Sequence, residues 1–366
     1  MTLFDDPAFN FNGLLALGGA GSGSAEVGEV LTAVNTINRA GLSSQTYVRT
    51  FHELGDRLMG PPPGSRPDDA TRRSRALRAA QYYGQALFFV LGSDHPGNEE
   101  DLYRAGRRAW ETFCDLCDPQ PVRAQIPYGD TTLPVWFFRP EPSDHCRPTV
   151  ILTNGSDGQN VDMWTYGVAA ALERGWNALV YDGPGQGQLL FVDRVVFTPT
   201  WEEVVSPLID WLDMRPDAET RRIALTGLSM GGDLAPRAAA FEDRIAALVA
   251  MPGCVDPWLG FPPELRQILT PHKEETNRIW NEEVVPELTP PRTRRPRCGN
   301  ASNRSRRRRC SRPARARPSP TSGHPPAGSR RWTSPMSSHA SPCPHSSSTT
   351  TTSSSTPGSR SRCTQP

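Results

Sequence analysis

Apolar positions recur at helical spacing through the first third of the chain and at strand spacing through the middle. Residues 25–31 open one amphipathic helix. Residues 44–58 form another, with Tyr47, Phe51, Leu54 and Leu58 on one face. The stretch 68–91 is a third and carries Tyr82, Tyr83, Phe88 and Phe89; residues 98–113 are a fourth. Such aromatic stripes pack a core, and some of them can also line a pocket. After Pro119 the period shortens. Residues 122–126 and 132–138 read as strands joined by Tyr128-Gly129-Asp130, an antiparallel hairpin. Short apolar runs then alternate with helical stretches: strands at 148–152, 176–181, 222–225 and 247–251, helices at 163–174, 201–212 and 234–241. Strands separated by helices predict a mainly parallel sheet covered on both faces, with functional loops at the carboxyl ends of its strands.

Three of those strand ends are rich in glycine. The run 222–225 leads into Thr226-Gly227-Leu228-Ser229-Met230-Gly231-Gly232 and then a helix. Strand, G-x-S-x-G turn and helix together make a nucleophile elbow, which lifts a serine hydroxyl clear of the sheet. Gly227 and Gly231 are needed because neighbouring backbones nearly touch there. The Met230 amide falls at a helix N-terminus, where it can face a developing oxyanion. The loop Asn154-Gly155-Ser156-Asp157-Gly158 ends the strand two before it in sequence. It is placed to supply a second oxyanion donor, the Ser156 amide, with the Gly155 amide as the close alternative; Asp157 suits capping the helix that follows. Asp182-Gly183-Pro184-Gly185-Gln186-Gly187 is a third such turn. Its reading is structural, packing against the elbow, and Asp182 is not assigned a catalytic role. Gly19-Ala20-Gly21-Ser22-Gly23-Ser24 imitates a phosphate loop, but no strand precedes it and no Gly-Lys-Ser/Thr follows. It reads as a flexible entry to the first helix.

Together these motifs resemble the α/β-hydrolase group that includes 2,6-dihydroxypseudooxynicotine hydrolase, FrsA-like esterases and fungal pigment chain-shortening hydrolases. The resemblance rests on Tyr82-Tyr83, on the hairpin from Ile126 to Pro140, on the three loops above, and on the helix Leu234-Ala235-Pro236-Arg237-Ala238-Ala239-Ala240-Phe241. It covers roughly residues 20–290. It implies an α/β-hydrolase fold, a helical cap, no cofactor and no metal, and a small-molecule carbonyl substrate. It also implies cleavage of an ester, or of a carbon–carbon bond next to a ketone, by a serine nucleophile through an acyl-enzyme. The expected organisation is a helical N-terminal or cap segment at 1–120, a hydrolase core at 121–291 and a tail at 292–366.

The chain departs from that group after the elbow. Such enzymes carry an acid and a histidine after the serine in chain order. Asp256 follows the next strand, at a position some hydrolases use for the acid, and it equally suits capping the next turn, the preferred reading. His272 sits in a Pro- and Glu-rich stretch. His324, His339 and His345 lie in low-complexity sequence with nothing to position them. The C-terminal part of the sheet is missing from the pattern, so a non-catalytic, ligand-binding pseudohydrolase is the alternative reading.

Charge sharpens that break. The formal net charge is +1. From Arg292 onward there are sixteen arginines and no acidic residue, so the first 291 residues hold a net charge of −15. The tail has no Val, Ile, Leu, Phe or Tyr and by composition is disordered. Its arginines could attract phosphates without sequence specificity, but no nucleic-acid-binding motif accompanies them. Cys114 and Cys117 form a lone C-x-x-C, read as two apolar cysteines on a buried helix rather than a metal or redox pair. No secretory signal or membrane span is legible, which predicts a cytoplasmic protein, with a homodimer among the possible assemblies.

Lys273 is the only lysine, which suits a GC-rich gene. Off-frame translation of such a gene yields Arg, Pro, Ser and Thr. The switch near Arg292 therefore predicts a reading-frame shift, or a sequencing error that mimics one. Resequencing codons 285–300 should reveal the slip, with a strand, an Asp, a second strand and a His in another frame. An uninterrupted in-frame read rejects it.

Overall fold

The computed structural model describes residues 1–60, 64, 67–260, 263–268, 273–279 and 282. Five helices come first: α1 (Pro7–Gly18), α2 (Val27–Ala40), α3 (Ser44–Met59), α4 (Asp69–Phe89) and α5 (Glu99–Asp115). Their starts follow from the sequence. The Asp6 carboxylate accepts from the Ala8 and Phe9 amides, and Pro7 opens α1 with a preset φ. Ser43 and Thr46 form a reciprocal capping box on α3. Asp68 caps α4 through the Thr71 amide, and Glu99, Glu100 and Asp101 place negative charge at the positive end of α5. The expected helices are all present, and α1 is an addition. Its apolar positions are interrupted by Asn10, Asn12 and Gly13, so no helical stripe is legible there.

The sheet has six strands: β1 (Val122–Tyr128), β2 (Thr131–Phe138), β3 (Arg147–Thr153), β4 (Asn177–Tyr181), β5 (Ala218–Leu228) and β6 (Ile245–Met251). Their order is β1-β2-β4-β3-β5-β6. The β1–β2 hairpin turns at Gly129, in the left-handed region at φ 51°. It joins β4 antiparallel, and β4, β3, β5 and β6 run parallel. Between them lie α6 (Asn160–Met163), a π-turn (Trp164–Val168) and α7 (Ala169–Glu173). The other connections hold α8 (Gly187–Phe191), α9 (Glu202–Asp213) and α10 (Gly231–Ala239), and α11 (Pro257–Gly260) follows β6. This is the α/β-hydrolase fold, a mixed sheet with helices on both faces.

Strand alternation makes two cores. Trp136, Phe138, Val150, Leu152, Ala178 and Val180 face the first five helices and α6–α7. Val135, Phe137, Ile151, Leu179, Ile223 and Leu225 face α9 and α10. The helical segment therefore packs onto a sheet face as well as bordering the loops. Trp110 of α5 meets Trp136 and Phe138 edge-on at 6.3 and 5.8 Å. Gly19–Ser22 is a tight 3₁₀ turn, not a flexible entry, and it follows a helix rather than preceding the first one. Ser24 is fully buried and bonds Thr165 at 2.7 Å, while the Trp164 indole donates to the Ser22 carbonyl. A Cβ on Gly19 would lie 2.5 Å from Ser24 Oγ, so glycine leaves room for that buried hydroxyl.

One buried ion pair ties the helical segment to the sheet. Arg107 of α5 donates to Asp182, just past β4, at 2.9 Å, and both side chains are largely buried. The Asn160 side chain and the Gln188 amide also donate to that carboxylate, and the Arg107 guanidinium lies over the Trp136 ring at 4.1 Å. Cys114 and Cys117 are free thiols beside this layer, and burial pushes Cys117 up to about 11, away from thiolate chemistry. Among the described residues no helix is long and apolar enough to cross a membrane, and no His, Cys, Asp and Glu cluster could hold a metal.

Removing one partner of a buried pair strands the other charge. Arg107→Met should lower unfolding free energy by about 3 kcal/mol, and Arg107→Met with Asp182→Asn should recover part of that loss. Denaturant midpoints of the two variants decide it; equal losses in both would remove the ion pair from this role.

Candidate active site

The elbow has the predicted form. β5 ends at Leu228, α10 begins at Gly231, and Ser229 holds φ 56° between them. A non-glycine residue in that region is strained, so the surroundings must impose it. They do so by close backbone approach. A Cβ on Gly227 would overlap the Gly231 carbonyl oxygen, and one on Gly232 would overlap that of Pro252. A Cβ on Gly231 would lie 2.7 Å from the Thr153 carbonyl oxygen. The Ser229 amide donates to the Met251 carbonyl at 2.7 Å and the Gly232 amide to the Ser229 carbonyl at 2.8 Å, which pins the turn from both sides. The side chain of Ser229 is left exposed.

The loop after β3 lies directly against it. A Cβ on Gly155 would sit 2.7 Å from Ser229 Cβ and 3.1 Å from its Oγ, so only glycine fits beside this hydroxyl. The two amides considered for the second donor differ. The Gly155 N–H donates to Asn154 Oδ1 at 2.8 Å. Neither the Ser156 amide nor the Met230 amide donates to a protein acceptor among the described residues. Asp157 does not cap the following helix. It accepts from the Ser156 hydroxyl at 2.8 Å, and the cap falls to Asp162, whose carboxylate accepts from the Gln159 amide at 2.7 Å.

Asp256 is exposed, and its Oδ1 accepts from the Trp258 amide at 2.9 Å. It caps the turn of α11, as the preferred reading expected. It also helps raise the carboxyl of Asp233 on α10, where burial is the first cause and the Asp256 charge the second. The described histidines are His52, His95 and His145, and none bonds to Ser229. His272, His324, His339, His345 and the whole tail from Arg292 lie outside the described residues.

Sequence reasoning gave the loop after β4 a structural, packing role but did not resolve which of its side chains carry it. Asp182 is the hub of the polar contacts described above. Gln186 is buried and bonds the Asn154 and Gly155 carbonyls at 2.7 and 3.1 Å. Its only signal was a lone carboxamide inside a glycine-rich turn.

No protein-family model matches the chain. It is similar to several named fungal proteins. It is 30% identical to 20-hydroxy-prefusarin hydrolase FUS2 of Gibberella moniliformis over 264 residues, covering 69% of this chain and 62% of that protein. It is 31% identical to the alpha/beta hydrolase psoB of Aspergillus fumigatus over 277 residues, covering 69% and 59%. The chain thus spans about three fifths of the length of these relatives. Among solved structures, 2,6-dihydroxy-pseudo-oxynicotine hydrolase superposes with a TM-score of 0.55 at 20% identity, covering 74% of this chain and 73% of that one. These relatives fall in the group that the motifs resemble.

Asp162 gives the site region a pH dependence. Burial pushes its carboxyl up to about 6, with the Gln159 amide opposing. The folded protein then holds this proton more tightly than the unfolded chain. The contribution is fully present below about pH 4 and is withdrawn as pH rises to about 6. Asp162→Asn keeps an oxygen for the Gln159 amide and removes the titration. Relative to wild type, the variant should gain roughly 2 kcal/mol of unfolding free energy between pH 4 and pH 6.5. Parallel stability curves in denaturant would reject this.

Proposed function

We propose that this chain, an α/β-hydrolase by fold and similar to fungal hydrolases, uses Ser229 as the nucleophile of an acyl-transfer hydrolysis. The observation that carries this reading is the exposed Ser229 hydroxyl at positive φ, beside two backbone amides without a protein acceptor. Ser229 Oγ attacks a carbonyl carbon as its proton passes to a base. The oxyanion is held by the Met230 and Ser156 N–H groups, with Gly155 supplying clearance rather than a donor. The Met230 amide adds the positive end of α10. Collapse expels an alkoxide from an ester, or an enolate where the broken bond joins a carbonyl carbon to a ketone's α-carbon. The leaving group takes a proton, and water then releases the acid from Ser229. The similarity to 20-hydroxy-prefusarin hydrolase and 2,6-dihydroxy-pseudo-oxynicotine hydrolase supports a small-molecule substrate for this chain, and the serine chemistry asks that it carry a carbonyl. The base and acid are assigned to residues outside the described part or outside this chain. Asp256 is kept as a candidate acid only if its cap on α11 opens.

A fluorophosphonate probe should modify Ser229 only where the full chain supplies a base that activates it, and Ser229→Ala should then abolish the labelling. Gly155→Ala should slow labelling on the order of 100-fold, since its methyl must displace Ser229 or the loop. Mass spectrometry of the labelled peptide decides it. A folded protein that takes no label favours the pseudohydrolase reading.

A further inference from the structure

Gln186 holds a position the proposed reaction has not used. Its side chain is buried between the loops after β3 and β4. Nε2 donates to the Asn154 carbonyl at 2.7 Å and to the Gly155 carbonyl at 3.1 Å, while Oε1 accepts from the Gly183 amide at 3.2 Å. Both carboxamide hydrogens and one oxygen lone pair are thereby engaged. The Gln186 backbone is itself fixed, since its amide donates to the Gly183 carbonyl at 2.9 Å.

These bonds act on two successive peptide planes. In a trans peptide the C=O of one residue and the N–H of the next point in opposite directions. The Gly155 carbonyl shares its plane with the Ser156 N–H. Drawing that carbonyl toward Gln186 turns the Ser156 N–H away from Gln186. The Asn154 carbonyl shares its plane with the Gly155 N–H, which is held on Asn154 Oδ1. One carboxamide therefore sets both planes of a loop that contains glycine and has no regular structure. A loop of that kind otherwise samples many φ/ψ states.

We propose that Gln186 is a positioning residue for the oxyanion hole, fixing the Asn154 and Gly155 carbonyls so that the Ser156 amide faces the Ser229 hydroxyl. The proposal rests on the hydrolase reading of Ser229. It deepens that reading by making the second donor depend on a side chain from another loop. A preorganised donor counts in catalysis only if it need not reorient as charge develops.

The test uses the full chain and two variants. Gln186→Met keeps the volume and removes both donors. Gln186→Glu keeps an acceptor for the Gly183 amide and, while protonated, one O–H donor. In Gln186→Met the fluorophosphonate should bind with an unchanged KI, while the phosphonylation step slows on the order of 100-fold, the effect of losing one oxyanion donor. In Gln186→Glu the rate relative to wild type should rise as pH is lowered and the introduced carboxyl regains its proton. Loss of packing alone gives no such profile. Amide exchange provides a second readout that needs no reactivity. The Gly155 N–H bonds Asn154, not Gln186, so its faster exchange in Gln186→Met reports release of the loop rather than loss of a direct partner. An increase of tenfold or more is expected, with α9 unchanged. Unchanged Gly155 exchange overturns the proposal whatever Ser229 does, and so do wild-type phosphonylation rates or a flat relative pH profile. If wild-type Ser229 takes no label, the hydrolase reading fails, and Gly155 exchange alone then decides whether Gln186 orders the loop.

Discussion

The site depends on how closely three backbone segments approach one another around residue 229. Ser229 sits at φ 56°, a conformation that costs a non-glycine residue of the order of 1 kcal/mol or more. Nothing within a five-residue turn can enforce this alone. The enforcement comes from neighbours so near that Gly155, Gly227, Gly231 and Gly232 have no room for a Cβ. The β3 loop, the β5 turn and the β6 end are in this sense one object. Its parts can be tight only because the parallel register of β3, β5 and β6 brings their carboxyl ends level.

Holding those ends level is the work of both sheet faces. On one face the aliphatic residues of β3, β4 and β5 pack against α9 and α10. On the other, the five N-terminal helices supply the aromatic wall around Trp110, Trp136 and Phe138. The Arg107–Asp182 pair belongs to this second face, yet Asp182 opens the loop that delivers Gln186 to the β3 turn. The helical segment is thus joined to the β3 loop through Asp182 and the turn that it opens, whose Gln186 bonds the Asn154 and Gly155 carbonyls. Tyr181, the residue before Asp182, carries the same logic to the opposite face. Its hydroxyl is shared between Thr153 and the Trp201 indole at 2.8 and 3.0 Å. The buried side chains of the glycine-rich loops, Asn154, Asp182 and Gln186, are each hydrogen-bonded, as low-dielectric surroundings require.

What could be read from the sequence follows from how local each cause is. The helices from Ser44 to Asp115 and every strand were legible because hydrophobic period and capping residues act within a few positions. The Ser229 turn was legible because strand, glycines and helix are contiguous. Helix α1 was missed because its contacts, Phe9 stacked on Phe89 at 4.2 Å among them, are made with distant residues and not along a regular stripe. The turn at Gly19–Ser22 was misread as flexible for a related reason, since its order comes from Thr165 and Trp164, over a hundred residues away. Asp157 reads as the cap because its spacing suits a helix start, but the first turn begins later, and Asp162 accepts from the Gln159 amide instead. Gln186 could not be found from spacing at all. Its function is a distance to two carbonyls on a loop 31 and 32 residues earlier.

Strand β6 brings the same reasoning to the edge of the sheet. Ile245-Ala246-Ala247-Leu248-Val249-Ala250-Met251 is apolar at every position, the pattern of a parallel strand meant to be covered on both faces. Here it pairs with β5 on one side and, among the described residues, with no strand on the other. Leu248 and Val249, which point to opposite faces, are 42% and 46% exposed. Natural sheet edges are usually guarded by charge, proline or a bulge; β6 has no charge or proline, and its one register shift lies at its start, where Ile223 pairs with Ile245 and Ala224 with Ala247. The residues patterned for an interior position thus occupy a border one. The same discontinuity appears in composition, where an acidic, apolar-rich sequence gives way at Arg292 to one with no Val, Ile, Leu, Phe or Tyr. The frame slip expected from the composition would account for both facts with one cause. It would also account for an elbow beside which no described residue serves as base.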